Sequence, residues 1–138
     1  MANRSPSSGR TTVLIADDEP VVRKMLAAVL AQAGHQVLLA ADGVDALALA
    51  FRDEIGVILL DLQMPGLSGE SFCRQYRASR GTAPIILMTA TVGAPLEEII
   101  ARCRPDAVLI KPFRLSEMRQ RVQQQLELTE TLNPPDPR

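Results

Sequence analysis

The sequence predicts an α/β fold, a doubly wound parallel sheet with helices on both faces. Five short apolar runs alternate with five segments whose apolar residues recur every three or four positions. Repeated strand–helix units of this kind build parallel sheets. The third run, Val57–Leu60, is apolar throughout, as expected of a strand covered on both faces. The 138 residues suffice for one domain, and with only 3% aromatic residues its core must be aliphatic.

Each apolar run predicts a strand because it is short and bounded by turn residues or prolines. In chain order the strands are Thr12–Ala16, Gln36–Ala40, Val57–Leu60, Ile85–Met88 and Ala107–Ile110.

The helices are predicted from stripes of apolar residues at helical spacing. The stripes are Val22, Met25, Leu26, Val29 and Leu30 in the first helix, Val44, Leu47, Ala48 and Phe51 in the second, Leu96, Ile99, Ile100 and Cys103 in the fourth, and Leu115, Met118, Val122 and Leu126 in the fifth.

Local signals mark where helices begin and end. Pro20 and Pro95 suit first helical turns, where their missing N–H is not needed. Gly34 predicts the end of the first helix. Ser68 predicts an N-cap for the third helix, with Glu70 in its first turn.

The composition of both ends of the chain predicts disorder. Residues 1–10 are rich in Ser, Pro, Arg and Gly, and residues 129–138 contain three prolines. We expect a disordered tail at 1–10, a folded domain over 11–128, and a disordered tail or linker at 129–138.

Composition excludes several classes of protein. The net charge of −1 gives no basic excess for direct nucleic-acid binding. No apolar stretch approaches the roughly 18 residues of a membrane helix, and the amino terminus lacks the apolar core of a secretory signal. The two cysteines fall in predicted helices without a spaced framework, which favours reduced thiols and a cytoplasmic location.

Charged side chains follow three of the strands. Asp17 and Asp18 end the run VLIADD, Asp61 ends GVILLD and Lys111 ends AVLIKP. Because the carboxyl ends of parallel strands share one edge, these groups should meet where open α/β sheets bind ligands. In isolation the acidic pair could be a solvated turn that caps the next helix. Asp61, held by a buried strand, favours a binding site over a solvated turn. Carboxylates clustered in this way repel one another unless a cation lies among them.

The chemistry of this set favours phosphoryl handling. Oxygen-only ligands favour Mg²⁺ over zinc, and Mg²⁺ adds waters and phosphate oxygens. A lysine supplies charge to a phosphoryl oxygen. Thr89, at the end of the fourth strand, adds a hydroxyl beside Asp61.

This pattern resembles the receiver domain of two-component response regulators, in its stand-alone, chemotaxis-regulator-like form. The resemblance rests on Asp17 and Asp18, on Asp61 in DLQMPGLSG, on Thr89 in MTA and on Lys111 in IKPF, and it covers nearly all of the folded region. It implies a flavodoxin-like receiver fold, with a five-stranded parallel sheet of order 2-1-3-4-5 and five helices.

The resemblance also implies roles. Asp61 is expected to be the phosphoacceptor, taking phosphate from a sensor histidine kinase, a histidine phosphotransfer protein or a small acyl phosphate. Mg²⁺ would be held by Asp18, Asp61 and the main-chain carbonyl of Gln63, and by Asp17 through water. Lys111 and Thr89 would hold phosphoryl oxygens. Such a domain is not an enzyme beyond catalysing its own phosphorylation and dephosphorylation.

The resemblance further implies a switch and partners. Thr89 would move toward the phosphoryl group, but the aromatic residue expected three positions before the lysine is replaced by Val108. Signalling would then rest on the backbone of residues 90–94. The face formed by the fourth helix, fifth strand and fifth helix is the expected surface for a downstream effector or a homodimer. Related domains also lead us to expect a cis Lys111–Pro112 bond.

Two alternatives remain beside a stand-alone receiver. The chain could be a receiver fragment of a larger transcription factor or hybrid kinase; the initial Met and the lack of a second domain favour the stand-alone form. A small α/β phosphatase or nucleotide-binding enzyme is disfavoured, because the first βα turn, ADDEPVVRK, has no glycines. Gln63 also stands where a phosphatase would carry a second acid.

Overall fold

A computed structural model describes residues 12–52 and 54–132, in which five strands and five helices alternate. The elements are β1 (Thr12–Ala16), α1 (Pro20–Gln32), β2 (Gln36–Ala40), α2 (Gly43–Arg52), β3 (Val57–Asp61), α3 (Gly69–Ala78), β4 (Ile85–Thr89), α4 (Gly93–Cys103), β5 (Ala107–Ile110) and α5 (Leu115–Leu132). All pairings are parallel, in the order β2-β1-β3-β4-β5. The predicted fold class and strand order are confirmed.

The sheet separates two aliphatic cores. Along β1, Val13 and Ile15 face the core closed by α1 and α5, whereas Leu14 and Ala16 face the core closed by α2, α3 and α4. Strand β3 alternates in the same way, and its four apolar residues are fully buried. This double burial explains the uninterrupted apolar run, because a strand covered on both faces has no polar side.

The helix ends follow the local signals of the sequence. Pro20 is the first residue of α1, and Gly34, just beyond its end, has a φ of 96°. The Ser68 side chain accepts a hydrogen bond from the Ser71 amide at 3.2 Å, so it caps α3 as predicted. The Lys111–Pro112 peptide bond is cis, as predicted.

Some boundaries differ from the sequence-based expectation. Strands β3 and β4 each include one more residue, Asp61 and Thr89, because both still pair in the sheet ladder. Gly93 begins α4 with a φ of 73° rather than lying in the preceding loop.

The described part of the chain reaches past the expected domain limit at residue 128. Helix α5 extends to Leu132, the last residue that the structure describes. The expected tail at 1–10 and residues 133–138 lie outside the described residues. Within the described ranges, no helix is both long enough and apolar enough to cross a membrane.

Candidate functional site at the carboxyl edge of the sheet

Three carboxylates converge where β1 and β3 end side by side. Asp17 and Asp18 follow β1, and Asp61 is the last residue of its neighbour β3. One carboxylate oxygen from each lies within 4.8 Å of the others. Asp17 is fully buried and Asp61 is only 6% exposed, whereas Asp18 is exposed. The predicted meeting of these acids is therefore present, with one of them open to solvent.

Asp17 is held on several sides. Its Oδ1 accepts a hydrogen bond from the Glu19 amide at 2.9 Å, and its Oδ2 lies 3.3 Å from the Lys111 Nζ. The Arg23 guanidinium donates to its main-chain oxygen at 2.7 Å. A buried carboxylate needs such donors, because leaving it unpaired would carry a large desolvation penalty. These contacts hold Asp17 in place beneath the exposed part of the site.

Lys111 joins the two buried carboxylates. Its Nζ lies 3.3 Å from Asp17 Oδ2 and 3.5 Å from Asp61 Oδ2, and its side chain is 25% exposed. Its amide donates to the Thr89 carbonyl at 2.8 Å, which anchors the lysine backbone to β4. Burial lowers the pKa of the ammonium, but Asp61 and Asp17 outweigh that effect, so the pKa is raised. Lys111 is therefore a fixed positive charge.

Asp61 is the carboxyl group of this cluster whose pKa is raised by its surroundings. Burial raises the pKa of its carboxyl, and so does the charge of Asp17. Lys111 and the Gln63 amide, which donates to Oδ1 at 3.3 Å, lower it only in part. The resulting pKa is about 6. A carboxylate crowded in this way gains stability from an added cation.

The loop after Asp61 is closed by tight backbone packing. The Gly69 amide donates to the Leu62 carbonyl at 2.9 Å. A Cβ at Gly69 would lie 2.8 Å from the Leu62 Cα and 3.1 Å from the Asp61 carbonyl oxygen. Only glycine fits this approach, which explains a glycine at the end of DLQMPGLSG and sets the position of the loop that carries Gln63.

Thr89 and Val108, the two expected switch residues, occupy different surroundings. The Thr89 side chain is buried at the end of β4, and its Oγ1 accepts a hydrogen bond from the Thr91 amide at 2.9 Å. Val108 is partly buried, pairs with Leu87 and packs against the core formed with α2, α3 and α4. Thr89 thus lies at the carboxyl edge of the sheet, whereas Val108 packs against the hydrophobic core away from that edge.

A cavity of about 470 Å³ opens over these groups, lined by Asp18, Glu19, Asp61, Gln63, Ala90, Thr91 and Lys111. Reasoning from the sequence did not find Arg23, the Glu19 amide or Thr91 as parts of this site. Their contributions are backbone contacts or contacts to backbone, which no side-chain motif records.

The chain's similarity to known proteins agrees with this geometry. Residues 13–123 match the family model described as the response regulator receiver domain. The chain belongs to that family. The predicted assignment to response regulators of two-component systems is therefore confirmed. This family match argues against the alternative of a phosphatase or nucleotide-binding enzyme. Receiver domains are signalling modules rather than conventional enzymes.

The chain is also similar to individual response regulators. It is 36% identical over 117 residues to the response regulator MprA of Mycobacterium leprae, a match that covers 85% of this chain and 51% of that protein. The chain spans about half the length of the curated relatives it matches. The alternative of a fragment of a larger protein therefore stays open.

Solved structures show the same fold. The chemotaxis protein CheY4 of Vibrio cholerae is 30% identical with a TM-score of 0.77, and the match covers 83% of this chain and 98% of CheY4. The receiver domain of the sensor histidine kinase PA1611 from Pseudomonas aeruginosa is 31% identical with a TM-score of 0.75, over 84% of this chain and 97% of that one. That structure has a magnesium ion coordinated in its active-site cleft.

The residues of this chain fit a hard divalent cation. The donors are carboxylate oxygens, the cluster combines two buried acids with an exposed one, and the cavity leaves room for water. Mg²⁺ favours such a site, because it binds few protein oxygens and retains several waters.

Proposed function

We propose that this receiver domain is a Mg²⁺-dependent phosphoacceptor whose Asp61 takes a phosphoryl group from a histidine kinase or a histidine phosphotransfer protein. The observation that carries the proposal is the position of Asp61. It lies at the end of a buried strand, within salt-bridge distance of Lys111, and faces a cavity it shares with Asp18. In this arrangement the positioning of charge does most of the chemical work.

Each residue has a role in the proposed transfer. A carboxylate oxygen of Asp61 attacks phosphorus, and the electron pair of the breaking P–N bond stays on the departing imidazole nitrogen. With its pKa of about 6, Asp61 is largely ionised near neutral pH and available as a nucleophile. Lys111 neutralises charge on the phosphoryl oxygens, and the Thr89 hydroxyl donates to one of them. Asp18, Asp61 and the Gln63 carbonyl would hold Mg²⁺, with Asp17 acting through water, and the ion would supply further charge neutralisation.

The contacts of Thr89 support a route out of the site. Its hydroxyl oxygen accepts a hydrogen bond from the Thr91 amide, so rotation of the hydroxyl toward a phosphoryl oxygen breaks that hydrogen bond. Residues 90–92 connect Thr89 directly to α4. We propose that this loop carries the signal to the face of α4, β5 and α5, where Val92, Ile100 and Ile110 are exposed. That face would bind the downstream effector or a second copy. Val108 lacks a ring to move and would contribute little.

A second surface fits the phosphodonor. An apolar cavity of about 410 Å³ adjoins the site between α1 and the segment after β5, and its lining includes Val22, Met25 and Phe113. A donor protein that brings phosphohistidine to Asp61 must rest next to the site, and this apolar rim is suited to hold it. Exchange with a histidine kinase in this manner would locate the protein in the cytoplasm.

Labelling by a small phosphodonor tests the proposal. The protein is incubated with phosphoramidate and Mg²⁺, and its intact mass is recorded. One added phosphoryl group is expected in the wild type and in Asp45→Asn, a control at an exposed aspartate of α2. Asp61→Asn should show none. Equal labelling of Asp61→Asn, or labelling that persists with a chelator present, would refute the assignment.

A further inference from the structure

The two cysteines of this chain meet between α3 and α4. Cys73 is 1% exposed and Cys103 is 3% exposed, and both lie in the core closed by α2, α3 and α4. Their thiols are hydrogen-bonded to each other, and both cysteines are free. A buried cysteine by itself usually acts as a small apolar residue. Two thiols in direct contact, in contrast, can be oxidised together to a disulfide.

An ion pair joins the same two helices at the surface. The Arg102 Nε lies 2.6 Å from the Glu70 Oε2. Arg102 directly precedes Cys103, and Glu70 lies about one turn before Cys73 on α3. The ion pair and the thiol pair therefore link matching turns of α3 and α4 and keep the two sulfurs opposite each other.

Helix α4 depends on Cys103 for its attachment. The structure describes every residue of α4, and Cys103 is the only one of them that is buried. It is also the last residue of the helix, since Arg104 follows with a φ of 51°. A helix end with so little buried surface opens locally at a small cost in free energy. Such opening admits an oxidant as small as hydrogen peroxide to thiols that are covered in the closed state.

The surroundings divide the two thiols into a nucleophile and a proton donor. The hydrogen bond from Cys73 lowers the pKa of the Cys103 thiol, and it outweighs burial and the charge of Glu70, which raise that pKa. Arg102 and Arg74 lower it further. The same hydrogen bond raises the pKa of the Cys73 thiol, and burial adds to that effect. Because the thiolate is the form that attacks an oxidant, Cys103 is the expected nucleophile.

We propose that Cys73 and Cys103 form a reversible oxidation site, at which hydrogen peroxide joins α3 to α4 by an intramolecular disulfide. The Cys103 thiolate attacks one peroxide oxygen, the O–O bond breaks, and the departing hydroxide takes up a proton to become water. The Cys73 sulfur then attacks the sulfenic acid on Cys103, and the S–O bond breaks with release of a second water. The two sulfurs lose two electrons in all, and the peroxide is reduced to two waters. A dithiol reductant reverses the reaction by thiol–disulfide exchange.

The disulfide would restrain α4. Because this helix buries only Cys103, a covalent bond at that residue fixes the helix to α3. A consequence for signalling rests on the proposed function, in which residues 90–92 carry the response from Thr89 to α4. An oxidised chain should then accept a phosphoryl group but respond less at α4, so the pair would make the output sensitive to peroxide.

Thiol counting on the full chain tests the proposal. The reduced protein is treated with a small excess of hydrogen peroxide, unfolded in urea, alkylated with N-ethylmaleimide and weighed by intact mass spectrometry. The untreated chain should take up two alkyl groups, one for each cysteine, and the treated chain none. Dithiothreitol should restore both, which separates a disulfide from methionine oxidation. Digestion should release one peptide pair linked through Cys73 and Cys103, and a non-reducing gel should show only monomer.

Single variants test the order of the steps. In Cys73→Ser a hydroxyl can still donate to Cys103, so peroxide should leave Cys103 as a sulfenic acid that dimedone traps. In Cys103→Ser the remaining Cys73 should react with dimedone about tenfold less, because burial keeps its thiol protonated. Asp61→Asn should form the disulfide as the wild type does, which keeps this part of the test independent of phosphorylation.

Amide hydrogen exchange tests the restraint of α4. Exchange in residues 93–103 should slow by about tenfold on oxidation, since α4 can no longer separate from α3, whereas exchange in α2 should change little. Beryllofluoride should shift the amide resonances of residues 90–94 less in the oxidised chain than in the reduced one. If the proposed function is wrong, the reduced chain shows no beryllofluoride response either, while the disulfide still forms, so the two proposals fail separately.

Several results would overturn the oxidation site. One is a peroxide-treated wild type that keeps two alkylatable thiols, and another is a disulfide that joins two chains instead of α3 and α4 of one chain. A third is oxidation of one sulfur to a sulfinic acid while the other remains a thiol. Unchanged exchange of the α4 amides in the disulfide-bonded protein would refute the restraint of that helix.

Discussion

Replacing Asp61 with Asn should stabilise the metal-free protein, and increasingly so as the pH rises. The folded protein raises the pKa of Asp61 from 3.8 to about 6, chiefly by burial and then by the charge of Asp17. Between these two values the folded state binds more protons than the unfolded state, so stability falls with rising pH. Asn removes this ionisation while keeping nearly the same shape.

The size of the effect follows from the shift. A pKa raised by this amount lowers the free energy of unfolding by about 3 kcal/mol once the pH is well above 6. At about pH 4.5 the unfolded carboxyl is already largely ionised and the cost is about 1 kcal/mol. The free energy of unfolding of Asp61→Asn minus that of the wild type should therefore widen by about 2 kcal/mol between about pH 4.5 and about pH 7.5. Changes in contacts made by the Asn amide cancel in this comparison.

Urea unfolding with a chelator present, at both pH values, measures the gap. Glu97→Gln is the control, because this exposed glutamate lies on α4, away from the three clustered acids. Its gap to the wild type should change by less than about 0.5 kcal/mol. Added Mg²⁺ should shrink the Asp61→Asn gap, since a cation stabilises the wild-type carboxylates more. A gap that is constant or narrows as the pH rises would refute the proposed repulsion at Asp61.

Three further predictions concern binding and switching. Asp18→Ala should abolish both weak Mg²⁺ binding, measured by calorimetry, and phosphoramidate labelling; labelling at the normal rate would contradict its role as a ligand. Met25→Glu should keep phosphoramidate labelling but lose transfer from a phosphorylated histidine kinase that labels the wild type, and equal loss of both would point to damage at the site rather than at the docking rim. Beryllofluoride should shift amide resonances of Thr89 and of residues 90–94 more than that of Val108, and Thr89→Ala should lose most of this response while still accepting phosphate. A full response in that variant would show that the signal leaves by another route.

The sequence alone determined the fold and the clustered carboxylates and lysine of the site. Strand and helix periodicities are local, so they identified β1, β2 and β5 with their observed ends. The parallel arrangement then required Asp17, Asp61 and Lys111 to meet at one edge, because the carboxyl ends of all strands lie there. Local signals such as Gly34, after the end of α1, and Ser68, at the start of α3, succeeded for the same reason, since each acts within a few residues of its own position.

The tertiary structure decided how those groups interact. The bridge from Lys111 to two acids and the raised pKa of Asp61 depend on distances and burial that no local pattern contains. Helix α2 shows the same limit, because Val44 and Phe51 of its apolar stripe are exposed. Helical spacing grouped Val44 with Phe51, but whether that face or the small-residue face meets the sheet was settled by close packing at Gly43, Ala46 and Ala50. Periodicity gives the faces of a helix, and only packing against the rest of the chain selects the buried one.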